Sequence, residues 1–242
     1  MSKKINDLLG YSNLKIVQDK NYFNFSLESV LLPNFIKVNK SDNKIIDLGC
    51  GNLPMPLIIN YLYPEKEIIG IELQKEIYDL AIETLKINNL ENKIKVLNID
   101  IKDIKSYFNS ESFDIVISNP PYFNKNEQTK INDNKVKSIA RHEIAITLEE
   151  IIEKASFLLK NKGKFGLVHR TERLDDVIIL LKKYNIEPKK IQFIYPKIDK
   201  PSNLFLLEGV KNTGKGIKVL KPLIVHDKKN NYSQEIKEIF KI

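Results

Sequence analysis

Short runs of aliphatic residues alternate along the chain with longer segments in which apolar side chains recur every three or four positions. The short runs are rich in β-branched residues, which is typical of buried strands, and the longer spacing is typical of amphipathic helices. The predicted strands are residues 44–48, 67–72, 94–100 including its loop, 113–118 and 164–168, and the predicted helices are about 54–63, 75–88, 148–160 and 174–184. This alternation predicts an α/β fold with a mostly parallel sheet.

The two ends of the chain depart from the alternation. Residues 190–195 and 203–210 predict an antiparallel pair, and residues 215–225 predict a further edge strand. Residues 1–43 are predicted to form an amino-terminal helical lid, because a helix begins near Ser26 and turns one apolar face inward. Phe25 and Ser26 would then lie at the mouth of the covered pocket.

Residues 123–139 are strongly polar and predict a long mobile loop. Loops of this length inside a compact domain are usually functional or disordered. No linker composition divides the chain, so residues 1–242 are predicted to form a single domain.

A polar corner, Asn119-Pro120-Pro121-Tyr122, follows the strand predicted at 113–118. Two consecutive prolines stop ladder bonding, and the residue before a proline is driven into an extended conformation. The Asn119 amide oxygen and the Pro120 carbonyl are acceptors, and the Tyr122 ring is a flat stacking surface. The corner therefore suits a planar heterocycle with an amino group, such as adenine, although Asn-Pro alone is more often an ordinary turn.

A glycine-rich turn containing Gly49 and Gly51 follows the first of the alternating strands. Glycines at this position let the backbone turn sharply and approach a ligand. The acidic residue before the turn, Asp47, favours an amine-bearing ligand over a pyrophosphate, and a third glycine of the dinucleotide fingerprint is missing. The turn alone is weak evidence for a nucleotide-like cofactor.

Carboxylates follow the next two strands as well. Glu72, with Leu73 beside it, lies about twenty residues past the glycine turn, where folds of this kind hold ribose hydroxyls. Asp100 is placed to accept the amino group of a cofactor adenine, with Ile101 packing on the ring. Each acid alone is more often a solvated loop residue, but three of them at the ends of successive strands predict one site.

The chain has 242 residues, 42% of them hydrophobic, and a net charge of +8. The charge favours a polyanionic partner such as nucleic acid, although a general bias toward lysine, asparagine and isoleucine would also produce it. The one cysteine, Cys50, permits no internal disulfide, which fits a cytoplasmic setting. Neither a membrane-spanning length of apolar residues nor zinc-site spacing is present, so we expect no membrane partner and no metal.

Together these motifs resemble the class I S-adenosylmethionine-dependent methyltransferases and, more narrowly, the bacterial tRNA1(Val) adenine-N6 methyltransferase family. The resemblance extends over nearly the whole chain. Two motifs are shared with many methyltransferases: Asp47-Leu48-Gly49-Cys50-Gly51-Asn52 and Asn119-Pro120-Pro121-Tyr122-Phe123. Three others narrow the choice: Ala140-Arg141-His142-Glu143, His169-Arg170-Thr171-Glu172-Arg173-Leu174 and Lys200-Pro201-Ser202-Asn203. Leu53 stands where a small residue is usual, which puts the shape of the methionine pocket in question.

The resemblance implies a Rossmann-like, mostly parallel seven-stranded sheet with an antiparallel carboxyl-terminal strand and helices on both faces. It implies methyl transfer from S-adenosylmethionine to the N6 amine of adenine 37 in the tRNA anticodon loop, with S-adenosylhomocysteine as product. Asn119, Pro120 and Tyr122 would be catalytic. The cofactor would contact Phe25, Ser26, Asp47, Gly49, Gly51, Glu72, Leu73, Asp100, Ile101 and Asn119. RNA would contact Phe123, Lys125, Lys130, Arg141, His142, Arg170, Lys197 and Lys200, with the enzyme a monomer or weak dimer.

Other substrates would suit the same corner. A protein glutamine amide also offers two N–H bonds, but such enzymes usually carry a separate substrate-binding domain before the first strand. A DNA adenine enzyme would normally carry an added target-reading region. A non-catalytic RNA-binding protein on the same fold is disfavoured by the intact Asn119 and Tyr122. Another RNA or DNA amine therefore ranks second, and a protein substrate third.

Overall fold

A central sheet organises the protein in the computed structural model, which describes residues 3–11, 13–22, 26–120 and 146–242. Its seven principal strands are β3 (Lys44–Leu48), β4 (Glu67–Glu72), β5 (Ile94–Asn98), β6 (Phe113–Ser118), β7 (Leu159–Arg170), β8 (Ile186–Tyr195) and β9 (Leu204–Lys211). Two short strands, β10 (Lys218–Val219) and β11 (Leu223–Ile224), both pair with β8 at its outer edge. The predicted edge strand in this region is therefore confirmed as two short pieces.

The strand order across the sheet is β10-β8-β9-β7-β6-β3-β4-β5. Strands β3 to β7 pair in parallel with one another, whereas β9 runs antiparallel to both β7 and β8, between which it lies. The predicted α/β architecture with one antiparallel strand is thus confirmed. Because the parallel strands point the same way, their carboxyl ends lie along one edge.

Helices cover both faces of the sheet. They are α1 (Leu27–Phe35), α2 (Pro54–Leu62), α3 (Lys75–Asn88), α4 (Leu148–Leu158), α5 (Leu174–Lys183) and α6 (Gln234–Phe240). Consecutive strand residues enter different cores: Ile45 belongs to the cluster with α1, α2, α3 and α6, and Ile46 to the cluster with α4 and α5. This division follows from the two-residue period of a strand, and it explains why strands buried on both faces are continuous aliphatic runs.

The amino-terminal segment is a correction to the predicted helical lid of residues 1–43. Among the described residues of this segment, only α1 is helical, and it is preceded by an antiparallel hairpin of β1 (Lys3–Asp7) and β2 (Lys15–Asp19). The hairpin is fixed by hydrogen bonds to distant residues. The Val17 amide donates to Thr84 Oγ1 (3.0 Å), and Asn52 Nδ2 donates to the Val17 carbonyl (2.7 Å). Such long-range bonds override the weak local preferences of a short segment.

Gly70 makes room for the residues of the glycine-rich turn. A Cβ atom at Gly70 would lie 2.6 Å from Cys50 Sγ and 3.2 Å from Leu53 Cδ2. Leu53 adopts the left-handed conformation with φ of 80°, and its side chain is fully buried. The unusual leucine is therefore accommodated in the core, where it packs beside Gly70.

Substituting Gly70 with alanine tests this packing. We expect Gly70→Ala to lower the free energy of unfolding by about 1–3 kcal/mol, as overpacking of a close-packed core usually does. Adding Cys50→Ala removes the shortest contact and should restore part of the loss. Urea denaturation measures both effects. Gly214→Ala is the matched control, because an added Cβ there has no atom within 4 Å. Equal stabilities of the two alanine variants would contradict the packing argument.

Candidate functional site

The residues of the predicted site lie at the carboxyl ends of neighbouring parallel strands. Leu48 of β3 is in register with Ile71 of β4, and Glu72 is in register with Asn98 of β5. On the other side, Ser118 of β6 is in register with Leu167 of β7. The chain therefore leaves the sheet at one edge next to the glycine-rich turn, Leu73 and Asn119.

The glycine-rich turn is held on the end of β4. The amides of Gly49 and Cys50 both donate to the Ile71 carbonyl, at 3.0 and 2.9 Å. Gly49 and Gly51 have φ angles of 83° and 56°, in the region that favours glycine. A Cβ atom at either position would project into open space. The backbone of the turn is consequently accessible to a ligand from that side.

Glu72 joins β4 to the turn. Its Oε2 accepts from the Gly51 amide (3.0 Å), and its Oε1 accepts from the Gln74 amide (2.8 Å). The carboxyl is almost fully buried, and burial raises its pKa despite these hydrogen bonds. Each carboxylate oxygen retains a second lone pair. Glu72 therefore organises the turn and still has acceptor capacity for a hydroxyl group.

Asp47 is the least satisfied group at this edge. Its side chain is 1% exposed, and neither carboxyl oxygen has a hydrogen-bond partner among the residues the structure describes. Burial, reinforced by the neighbouring Glu72 carboxyl, raises the pKa of Asp47 well above its usual range. A buried carboxyl without a partner is destabilising. A cationic or strongly donating group of a ligand would supply the partner that Asp47 lacks among the described residues.

The third predicted acid has a structural role as well. Asp100 Oδ1 accepts from the Lys102 amide (2.8 Å) and begins a short 3-10 helix, Ile101–Ser106. Ile101 is 8% exposed and belongs to the α4–α5 core. Asn98, which the sequence did not single out, donates through Nδ2 to the carbonyls of Glu72 and Leu73 (both 2.8 Å). These contacts fix the backbone on which Glu72 and Leu73 are presented.

Asn119 leaves β6 at the same edge and is half-buried. Its Nδ2 donates to Ser29 Oγ on α1 (3.2 Å), and the preceding Ser118 hydroxyl donates to the Leu48 carbonyl (2.8 Å). Pro120 is buried. Ser29 is a site residue that sequence reasoning missed. The available signal was a serine on the otherwise apolar face of α1, where it is 6% exposed.

The predicted site residues differ in where the structure places them. The structure brings Asp47, Gly49, Gly51 and Glu72 together, and it places Asn119 and Pro120 one strand away on the same edge. Ser26 is exposed at the start of α1. Seven predicted residues lie outside the described residues: Phe25, Tyr122, Phe123, Lys125, Lys130, Arg141 and His142.

The remaining predicted RNA contacts lie farther along the same edge. Arg170 is exposed at the end of β7 and in register with Leu204 at the start of β9. Lys197 is half-buried and Lys200 is exposed in the loop between β8 and β9. The Thr171 hydroxyl donates to the Ser202 carbonyl (2.8 Å), which connects this loop to the end of β7.

Two further observations concern what the described part of the chain contains. Across residues 3–11, 13–22, 26–120 and 146–242, no three His, Cys, Asp or Glu side chains cluster closely enough to hold a metal ion. Within the same ranges, every helix is too short or too polar to cross a membrane.

Comparison with known proteins gives the fold and the family. A predicted O-methyltransferase of Agrobacterium tumefaciens superposes with a TM-score of 0.71 at 18% identity, over 88% of this chain and 95% of that one. The P. horikoshii protein TYW2, solved in complex with MeSAdo, gives a TM-score of 0.60 at 16% identity, over 88% and 72% of the two chains. These likenesses confirm the methyltransferase fold.

Sequence comparison agrees with the fold. The tRNA1(Val) (adenine(37)-N6)-methyltransferase of Bacteroides thetaiotaomicron is 23% identical over 236 residues, which is 97% of this chain and 95% of the relative. The family model of the methyltransferase small domain matches residues 26–185, well over half of the chain. The protein belongs to the methyltransferase small domain family.

Proposed function

We propose that this protein transfers a methyl group from S-adenosylmethionine to the N6 amine of adenine 37 in the anticodon loop of tRNA1(Val). The observation that carries the proposal is the pairing of two features at one sheet edge: the buried Asp47 carboxyl beside the glycine-rich turn, and the Asn119–Pro120 corner on the adjacent strand. The first suits the cofactor, and the second suits an exocyclic amine.

The residues present fit S-adenosylmethionine. Asp47 would receive the α-ammonium group, which supplies the cationic partner that the carboxyl lacks among the described residues. The open side of Gly49 and Gly51 leaves room for the methionine portion. Glu72 would accept from the ribose hydroxyls, and Leu73, Asp100 and Ile101 would surround the adenine, with Phe25 and Ser26 near the opening. When bound, the cofactor supplies a methyl group that its positive sulfur has already activated.

Asn119 and Pro120 would align the target nitrogen. The Asn119 Oδ1 and the Pro120 carbonyl are acceptors for the two hydrogens of the amine, which directs the nitrogen lone pair toward the methyl group. The hydrogen bond from Asn119 Nδ2 to Ser29 Oγ occupies the donor end of the amide, so Oδ1 would be the end that faces the substrate. Tyr122 would stack on the flipped base, and an adenine in a loop costs little to flip. The proton leaves late, to solvent.

Two observations support tRNA as the substrate. The Bacteroides thetaiotaomicron relative bears that activity in its name and covers nearly the whole chain, although at low identity. The net charge of +8 favours a polyanionic partner.

Methyl transfer to fractionated tRNA tests the proposal directly. Labelled S-adenosylmethionine, the protein and separated tRNA species should give label in N6-methyladenosine at position 37 of tRNA1(Val), identified by nucleoside analysis. Label in a different nucleoside, or in protein instead of RNA, would contradict the assigned substrate.

Asn119→Ala should separate catalysis from cofactor binding. We expect kcat to fall at least about 100-fold, the size of losing one well-placed polar group in a closed site, while the variant still binds S-adenosylhomocysteine. Ser29→Ala should lower kcat about tenfold and leave the affinity for S-adenosylhomocysteine unchanged, because it removes the acceptor of the Asn119 Nδ2 hydrogen bond. Asn109→Ala, an exposed asparagine near the other end of β6, is the control. Normal turnover by Asn119→Ala would mean that the corner is only structural.

Asp47→Asn should raise the stability of the ligand-free protein and weaken cofactor binding. Burial raises the pKa of Asp47 in the folded state above its unfolded value, so folding disfavours the charged form. The wild-type protein therefore loses stability as pH rises from about 4, where an unfolded aspartate titrates. Relative to the wild type, ligand-free Asp47→Asn should gain unfolding free energy between about pH 4 and pH 7, while its affinity for S-adenosylhomocysteine falls at least about tenfold.

Urea denaturation at the two pH values and calorimetry make these measurements. Asp103→Asn removes an exposed carboxylate from the nearby 3-10 helix and should follow the wild type in both. An Asp47→Asn variant that binds normally and keeps the wild-type pH dependence would remove Asp47 from the cofactor site.

A further inference from the structure

Two loops meet at the carboxyl edge of the sheet, on the side away from the glycine-rich turn. One is the β8–β9 loop, residues 196–203, and the other is the turn that follows β11, residues 226–232. They are joined by backbone hydrogen bonds: the Val225 amide donates to the Tyr195 carbonyl (2.8 Å), and the His226 amide donates to the Pro196 carbonyl (3.1 Å). Because β11 runs parallel to β8, both loops lie at the edge that carries Asn119.

The 226–232 turn is rigidly built. Asp227 Oδ1 accepts from the amides of Lys229 (2.8 Å) and Asn231 (2.9 Å), and the Asp227 amide donates to the Asn231 carbonyl (2.9 Å). His226 and Tyr232 form an antiparallel bridge, and their rings stack with centroids 5.1 Å apart. Lys228 and Lys229 lie exposed at the tip of this fixed turn.

The two loops together carry four lysines: Lys197, Lys200, Lys228 and Lys229. None of the four forms an ion pair within the part of the chain that the structure describes. Two other lysines of this part of the chain do form ion pairs: Lys190, within β8, pairs with Glu208 (3.1 Å), and Lys221, before β11, pairs with Glu235 (3.2 Å). The two acids within the loops are Asp199 and Asp227, and Asp227 is already used by the turn.

The distance of these lysines from the corner is set by the sheet. Between β6, which carries Asn119, and β8 lie β7 and β9, and β11 is one strand beyond β8. At about 4.8 Å per strand, the two loops are roughly 14 and 19 Å from the corner. This offset is too large for contact with the target nucleotide itself, and it is comparable with the width of a nucleic-acid helix.

We infer that the 196–203 loop and the 226–232 turn form one phosphate-binding surface for the paired stem of the RNA whose loop presents its adenine to Asn119. The inference rests on the proposed function. Lysines on a rigid turn act as point charges for backbone phosphates, which fixes the position of a nucleic acid without reading its sequence. A paired stem is favoured over a single strand because it presents phosphates at a fixed distance from the loop.

The double variant Lys228→Ala/Lys229→Ala tests the surface in the full-length protein. The probe is a labelled anticodon stem-loop RNA, with affinity measured by fluorescence anisotropy over a range of salt concentrations. Loss of two phosphate contacts should weaken binding about 10- to 30-fold near physiological salt and reduce the log–log salt slope by about 1.5–2. Methylation of the stem-loop at low substrate concentration should fall in parallel, and kcat and affinity for S-adenosylhomocysteine should stay unchanged.

Lys93→Ala/Lys95→Ala is the matched control, because it makes the same change in charge at the start of β5, the strand farthest from this surface. If both double variants bind the stem-loop with the same affinity and salt slope, the proposed phosphate-binding surface is wrong. Methylation by the wild type would be unaffected by that result. Equal weakening for an unpaired RNA of the same loop sequence would overturn the assignment to the stem. If the wild type binds the stem-loop but methylates no RNA, the proposed function fails, and the binding comparison still decides the surface.

Discussion

The burial of the Asp47 carboxyl is the constraint around which the site is built. Strand β3 places this group where solvent cannot reach it, and the described part of the protein provides it with no hydrogen-bond donor. Nearby Glu72 is buried too, but two backbone amides satisfy it. Burying one unsatisfied carboxyl weakens the ligand-free fold, and the same group would be a strong partner for a cationic ligand in a region of low dielectric. The buried Asp47 carboxyl therefore lowers the stability of the ligand-free protein at the position where a cationic ligand would bind.

The rest of the edge depends on elements that converge from distant parts of the chain. Glu72 of β4 fixes the Gly51 amide, and Asn52 in the same turn reaches the β2 strand of the amino-terminal hairpin. Helix α1 follows this hairpin and orients Asn119 through Ser29. The amino-terminal segment therefore contacts both the glycine-rich turn and Asn119, so a disturbance of the hairpin should affect both.

Much of the sheet, and the residues that lie at its edge, could be predicted from the sequence. The continuous aliphatic runs predicted the parallel strands correctly because such runs are buried on both faces. The acids and glycines at the strand ends do lie together at one edge of the sheet, as predicted. The features that the sequence did not reveal depend on contacts between residues far apart along the chain. The β1–β2 hairpin is fixed by Thr84 and Asn52, and the place of Leu53 in the core depends on the missing side chain of Gly70. Ser29, Asn98 and the 226–232 turn acquire their roles only through partners far along the chain.

Proton exchange on cofactor binding tests the role of Asp47 most directly. S-adenosylhomocysteine would be titrated calorimetrically into the protein at about pH 6, between the usual ranges of aspartate and α-amino groups, in two buffers of different ionisation enthalpy. If the ligand's ammonium group stabilises the charged form of Asp47, binding will release protons, the heats will differ between the buffers, and Asp47→Asn will abolish the difference. Identical heats in both buffers, with unchanged affinity in Asp47→Asn, would contradict the account.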